Sequence, residues 1–268
     1  MNRWNLTNSR ELAVTPTSHV YTVTYQNETV VLKLLTPVGI HDEQHGATAL
    51  RCYDGHGAVR LLASTEEAHL LEYAEGDDLI PMVDQGDDDG ATRIIAEVLN
   101  QLHSSQTSSG DGLIPLRRRF RSLFQYAEQQ NDDSIFVRAA WVADRLLNDQ
   151  RELRVLHGDL HHGNIRHSAR RGWLAFDPKG LYGERTFDVA NTLCNPGSMP
   201  TLVEDEARLL RQADILADCL HLHRSRILMY VFAYACLSAS WTLGSGGDAS
   251  DVLIVAAHAE RHMGSEYP

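Results

Sequence analysis

The stretch VLHGDLHHGN, Val155 to Asn164, decides how this chain reads. Behind two aliphatic residues it gathers three histidines, an aspartate, an asparagine and two glycines. Dinuclear hydrolases collect His and Asp around their metals. The spacing here suits such a loop poorly, and no second His/Asp cluster completes a shell, so His162 reads as a solvent-facing loop residue. Phosphoryl-transfer loops use a different grammar: His-x-Asp, four residues, then Asn. In them the Asp orients the acceptor hydroxyl and takes its proton, and the Asn holds magnesium. His157-Gly158-Asp159, followed by Leu160 to Gly163 and then Asn164, has that spacing.

If this loop transfers phosphate, other parts must exist along the chain. A second magnesium carboxylate should follow a short strand, and Asp177 stands directly after WLAF. NIRHS (Asn164–Ser168) and WLAFD (Trp173–Asp177), joined by ARRG, read as a strand–turn–strand that brings Asn164 and Asp177 to one end. Upstream, Lys33 sits inside the apolar strand VVLKLL, where burying an ammonium is costly unless an anion meets it. Glu43, ten residues later on an expected helix, suits that partner; Asp42 competes for the role.

The rest of the chain fits this frame. VYTVTY (Val20–Tyr25) and TVVLKLL (Thr29–Leu35) flank the turn QNE as a hairpin, and AVRLLA with AHLLEY forms a second one. A helix is expected from about Asp42 to Tyr53, ending at DGHG. After Tyr73 the Gly- and Asp-rich AEGDDLIPMVDQGDDDG marks a change of lobe. Helical spacing then dominates, as in ATRIIAEVLNQLH. The expected fold is α+β and two-lobed: residues 1–74 form a strand-rich, nucleotide-binding lobe with one helix, and residues 75–268 a mainly helical lobe with the catalytic loop and substrate site.

The formal net charge of -12 over 268 residues argues against nucleic acid as a partner. It suits a cationic small molecule, although on charge by itself acidity for solubility alone is the stronger reading. Ile227–Trp241 is apolar but short and carries two serines, so it reads as a buried helix rather than a membrane span. The four cysteines form no CxxC pair, and the N-terminus lacks an export signal; reduced thiols and a cytoplasmic location follow. The basic run Arg117–Arg121 reads first as a solvated helix face and second as an anion contact.

With these residues assembled, the sequence resembles the aminoglycoside phosphotransferase family, which has the two-lobed protein-kinase-like fold, and within it the streptomycin 6-phosphotransferase (streptomycin/hydroxyurea) subgroup. LHGDLHHGNI, RGWLAFDPKGLYGERTFDVAN, GHGAVRLLA with LLEYA, and AYACLSASW carry the resemblance. It implies Asp159 as the catalytic aspartate and Asn164 and Asp177 as magnesium ligands. It implies Lys33 on the α- and β-phosphates of ATP (or GTP), oriented by Glu43. Glu72, Tyr73 and Ala74 would form the hinge that holds the purine. His157 and Asp188 would support the catalytic loop, and Glu184 would bind the cationic groups of the acceptor. No G-x-G-x-x-G precedes Lys33; Ser18 and nearby amides are expected to cover the phosphates instead. The expected protein is a monomer or weak dimer that takes nucleotide and a cationic small molecule, with no membrane partner. Its rivals are a kinase of another metabolite hydroxyl and a relative that binds ligand without turnover.

Overall fold

The computed structural model describes residues 2–104 and 109–264, apart from the side chains of residues 2 and 41–44. Its first layer is an antiparallel sheet in the order β1-β2-β3-β5-β4: β1 (Thr7–Val14), β2 (Ser18–Tyr25), β3 (Glu28–Leu35), β4 (Leu61–Ser64) and β5 (Ala68–Glu72). Gln26 and Asn27 turn the β2–β3 hairpin with φ of 50° and 66°, the left-handed geometry that two-residue hairpin loops favour. Alternation along β3 sends Val30 and Leu32 to one face. There they bury a small cluster with Leu6, Val23 and Leu70. Lys33 takes the opposite parity, paired across the ladders with Val20 and His69.

Helix α1 runs over Pro37–Tyr53. It begins five residues before the sequence expectation, because Thr36 caps it by accepting from the Gly39 amide and Pro37 supplies the fixed φ of a first helical residue. Strand β1 has no apolar alternation because all eight residues are exposed, so periodicity could not reveal it.

The second layer is mainly helical. A three-stranded sheet, β6 (Ile114–Pro115), β10 (Leu181–Glu184) and β7 (Leu153–Leu156), lies next to the hairpin β8 (Ile165–Ser168) and β9 (Gly172–Ala175). Around them pack α2 (Ile80–Asp84), α3 (Asp88–Ser104), α4 (Leu116–Arg119), α5 (Arg121–Ala127), α6 (Ile135–Asn148), α7 (Phe187–Leu193), α8 (Pro200–Val203), α9 (Glu206–Leu220), α10 (Arg224–Gly244) and α11 (Ser250–His262). Helix α10 is apolar on all sides because the other helices surround it; Ile227 to Leu237 are buried without a break. One core runs from Ala49 and Tyr53 of α1 through Leu71 to α11. The two layers therefore share apolar interior, and they are stitched where Val59 N–H donates to Ala175 O (2.9 Å) and Ala175 N–H to Gly57 O (2.8 Å).

Candidate active site

The loop between β7 and β8 carries His157, Asp159 and Asn164, and its shape is held from below. Asp188, at the start of α7 and 1% exposed, accepts from the amides of His157 (2.9 Å) and Gly158 (2.7 Å) and from His103 Nε2 on α3 (3.0 Å). Gly158 has φ +78°, and a Cβ there would press into the Leu181 side chain, so the turn over Asp188 requires glycine. The His157 ring is fully buried and spans two segments. Its Nε2 donates to Phe176 O (2.9 Å), and its Nδ1 accepts from the Asp159 amide (3.3 Å). Burial lowers its pKa against the pull of Asp188 and Asp159, so the imidazole stays neutral. It fixes the distance between the Asp159 loop and the segment that carries Asp177.

The side chains expected to act in transfer meet above this scaffold. Lys33 Nζ, on a side chain only 9% exposed, forms an ion pair with Asp177 Oδ1. Asp177 has φ 62°, an uncommon conformation for a non-glycine residue and one that concentrates at functional sites. Burial pushes its carboxyl up, but Lys33 and Lys179 outweigh burial and hold it below the usual carboxylate range. Lys179 Nζ lies 3.5 Å from Asp159 Oδ2. Asn164 Nδ2 donates to Asp159 O (2.8 Å), and the Phe176 amide donates to Asn164 O (3.0 Å). Lys33, Asp159, Asn164 and Asp177, spread over 145 residues of sequence, are thus brought into one neighbourhood by these contacts.

Asn164 Oδ1 and Asp177 Oδ2 take no hydrogen bond among the described residues. Hard oxygen donors left open in this way are of the kind magnesium takes from protein, with phosphate and water completing its shell. Among the described residues no group of three or more His, Cys, Asp or Glu side chains converges as a metal shell. Helix α1 comes close to this segment: a Cβ on Gly46 would collide with Pro178 O, and one on Gly180 with His45 O. Glu43 and its competitor Asp42 lie on that helix, but their side chains are outside the described residues.

Three expectations change. Glu184 is 1% exposed and turned away from solvent; it accepts from Arg226 Nε and Nη2 (both 2.6 Å), Thr186 Oγ1 (2.8 Å), Tyr230 OH (3.1 Å) and the Arg151 amide (3.0 Å). Its lone pairs are all engaged, so it ties β10 to α10 and cannot receive an acceptor's cations. Ser18 is 1% exposed, and its hydroxyl meets Thr15 Oγ1 (3.0 Å), so it closes the β1–β2 turn rather than facing phosphates. His162 is fully buried instead of facing solvent, with both ring nitrogens unpartnered among the described residues. Its imidazole is lowered to about 4, by burial first and Arg208 second.

At the hinge, the Glu72 carboxylate is taken by the Arg60 amide (2.9 Å) and by Arg171. Tyr73 is half-buried and lines a pocket with Glu72, while Ala74 is buried and its backbone N–H and C=O form no hydrogen bond among the described residues. The basic run divides. Arg117 pairs with Asp144 (2.8 Å) on the surface, and the Arg119 guanidinium lies 4.3 Å above the Trp241 ring.

The sequence reading missed Lys179, Asn191 and Tyr234. Asn191 Nδ2 donates to Asp159 Oδ1 (3.0 Å), and Tyr234 OH donates to Asn191 Oδ1 (2.7 Å). A signal for Asn191 existed: it stands three residues after Asp188 on α7, so both must face the catalytic loop. Beside it a cavity of about 250 Å³ is lined by Asn191, Asn195, Tyr234, Ser238, Asp248 and Asp251.

Fold and site together define a kinase-like phosphotransferase with two lobes. Residues 3–246 match the model of the aminoglycoside/hydroxyurea antibiotic resistance kinase family, and the chain belongs to that family. It is 38% identical over 250 residues to a streptomycin 3''-kinase of Klebsiella pneumoniae, covering 92% of each. It is 32% identical over 270 residues to a streptomycin 6-kinase of Streptomyces glaucescens, covering 94% of this chain and 83% of the relative. Among solved structures it resembles a thermostable aminoglycoside phosphotransferase APH(4)-Ia in ternary complex with ADP and hygromycin B (TM-score 0.66, 12% identity, 98% and 95% covered). It also resembles the choline kinase LicA of Streptococcus pneumoniae (TM-score 0.62, 14% identity, 98% and 95% covered). At such identities these two structures speak for the fold.

Proposed function

We propose that the chain transfers the γ-phosphate of ATP to a hydroxyl of streptomycin. The observation that carries this reading is the convergence of Lys33, Asp159, Asn164 and Asp177 through direct contacts, in a chain whose streptomycin-kinase relatives match over nearly its full length. Little covalent chemistry is asked of the side chains; catalysis is positioning and charge neutralisation. Asp159 aligns the acceptor hydroxyl. As that oxygen bonds to the γ-phosphorus, the bond to the β–γ bridging oxygen breaks, ADP leaves, and Asp159 takes the proton. Lys33 exchanges part of its contact with Asp177 for the α- and β-phosphates. Asn164 and Asp177 would hold magnesium, which would supply positive charge to the phosphate oxygens. The main chain around Ala74 receives the base.

With Glu184 removed from the acceptor site, the cavity beside Asn191 takes its place. It adjoins the side chain that touches Asp159, and the carboxylates of Asp248 and Asp251 line it, suited to guanidinium groups. The sequence resemblance favours the 6-hydroxyl; the more similar of the two relatives named above favours the 3''-hydroxyl.

The test is incubation with ATP, magnesium and streptomycin, reading ADP release, product mass and the position of the new phosphate by NMR. Antibiotic-dependent turnover that disappears in Asp159→Ala supports the reading, and the phosphate position separates 6 from 3''. Turnover with other alcohols but not with streptomycin overturns the acceptor; nucleotide binding without any turnover overturns the kinase itself.

A further inference from the structure

Asp159 needs more than a loop to act on a hydroxyl, because its carboxylate must point in one direction while two differently charged substrates come and go. A chain of neutral hydrogen bonds behind it sets that direction. Gly197 N–H donates to Asn195 Oδ1 (3.3 Å), which fixes the Asn195 amide so that its NH2 faces Asn191. That NH2 donates to Asn191 O (2.9 Å) and to Asn191 Oδ1 (3.0 Å). Tyr234 OH donates to the same Oδ1 (2.7 Å). With two donors on its oxygen, the Asn191 amide has one orientation open, and its NH2 is aimed at Asp159 Oδ1 (3.0 Å). The flipped amide would set an NH2 against an NH2 and an oxygen against a carboxylate. Tyr234 is 5% exposed, and burial raises its pKa well above the ordinary phenol value, so it remains a donor. Its ring is held edge-on to Phe187 (5.7 Å) and Trp241 (6.4 Å).

We infer that Asn191 and Tyr234 are positioning residues for Asp159. Asn191 on α7, held by Tyr234 on α10, tethers Oδ1, so that Oδ2, 3.5 Å from Lys179, is the oxygen presented to the acceptor. Because Asn191 and Tyr234 also line the cavity of about 250 Å³, the tether makes one wall of the acceptor site and the direction of the base the same structural element. The inference rests on the phosphotransferase reading and gives two residues that reading places only in a cavity wall a part in orienting Asp159.

The experiment is steady-state turnover of Tyr234→Phe and Asn191→Ala with ATP, magnesium and streptomycin, alone and in an Asp159→Asn background. Tyr234→Phe keeps the ring contacts and should lower kcat roughly tenfold, the value of one hydrogen bond. Asn191→Ala should lower kcat roughly a hundredfold, within the range that general-base positioning supplies. KM for ATP should stay within about twofold in both, since neither residue faces the nucleotide. In the Asp159→Asn background the two substitutions should have no further effect, because what they orient is already gone. A kcat within twofold of wild type for Asn191→Ala, or equal losses with and without Asp159, would overturn the inference. If wild type ignores streptomycin, the acceptor reading falls on its own, and the same cycle is read from magnesium-dependent ATP hydrolysis; a wild type without either activity overturns both.

Discussion

Two groups of buried charge can be set side by side. Around Glu184, every oxygen lone pair has a protein donor, the carboxylate is 2% exposed, and its partner Arg226 is 11% exposed. Beside Lys33 and Lys179, Asp177 and Asp159 are 33% and 27% exposed; each has one oxygen held by a protein donor, and the Asp159–Lys179 contact is a loose 3.5 Å. A carboxylate whose hydrogen-bonding capacity is satisfied by the fold is a structural joint. One left half-satisfied, beside an ammonium and at an aqueous boundary, has capacity for a ligand. The difference lies in satisfaction rather than charge, and it is what moves Glu184 out of the acceptor site.

This contrast can be broken in order of expected effect. Asp159→Ala should cost about a thousandfold in turnover, the scale of a lost general base, while shifting unfolding free energy by less than about 1 kcal/mol. Activity assays beside urea titrations measure both, and a collapse of stability would place Asp159 with the structural joints. Glu184→Ala should do the reverse. Removing one partner of a buried pair leaves the Arg226 guanidinium uncompensated and costs about 3–5 kcal/mol. The folded fraction should keep its KM for acceptor; a wild-type urea midpoint with a raised acceptor KM would return Glu184 to the substrate site.

A smaller effect comes from buried histidines. His69, lowered to about 4 by burial and then by Lys33, and His162, also lowered to about 4, are neutral when folded. Unfolded, each binds a proton near pH 6.5, so between pH 6.5 and 4 the unfolded state holds more protons and stability falls as the solution is acidified. Each imidazole contributes on the order of 3 kcal/mol to that loss. His162→Asn should flatten the dependence of the urea midpoint on pH in this window; an unchanged slope would show that His162 is not buried neutral. The smallest effect belongs to the exposed pair Arg170–Glu28 (82% and 66% exposed, 3.1 Å). Arg170→Ala should change stability by less than about 0.5 kcal/mol, and more than that would mean the pair latches the two layers together.

The sequence alone supplied what short range dictates. The spacing of His157, Asp159 and Asn164, the strand before Asp177, the β2–β3 hairpin and the lysine in an apolar strand are all local patterns, and local patterns survive in one dimension. Helix α1 was legible too from about Asp42 onward, its first turn at Thr36-Pro37 being set by the cap and the proline. What only the tertiary structure decided is which polar groups find partners from distant segments. Glu184 met Arg226 from forty-two residues away, His162 was enclosed instead of solvated, and Asn191 was turned toward Asp159 by Tyr234 on another helix. The physical reason is that a side chain's availability for chemistry depends on its remaining hydrogen-bonding capacity after folding. That remainder is set by packing between elements, which no window of sequence contains.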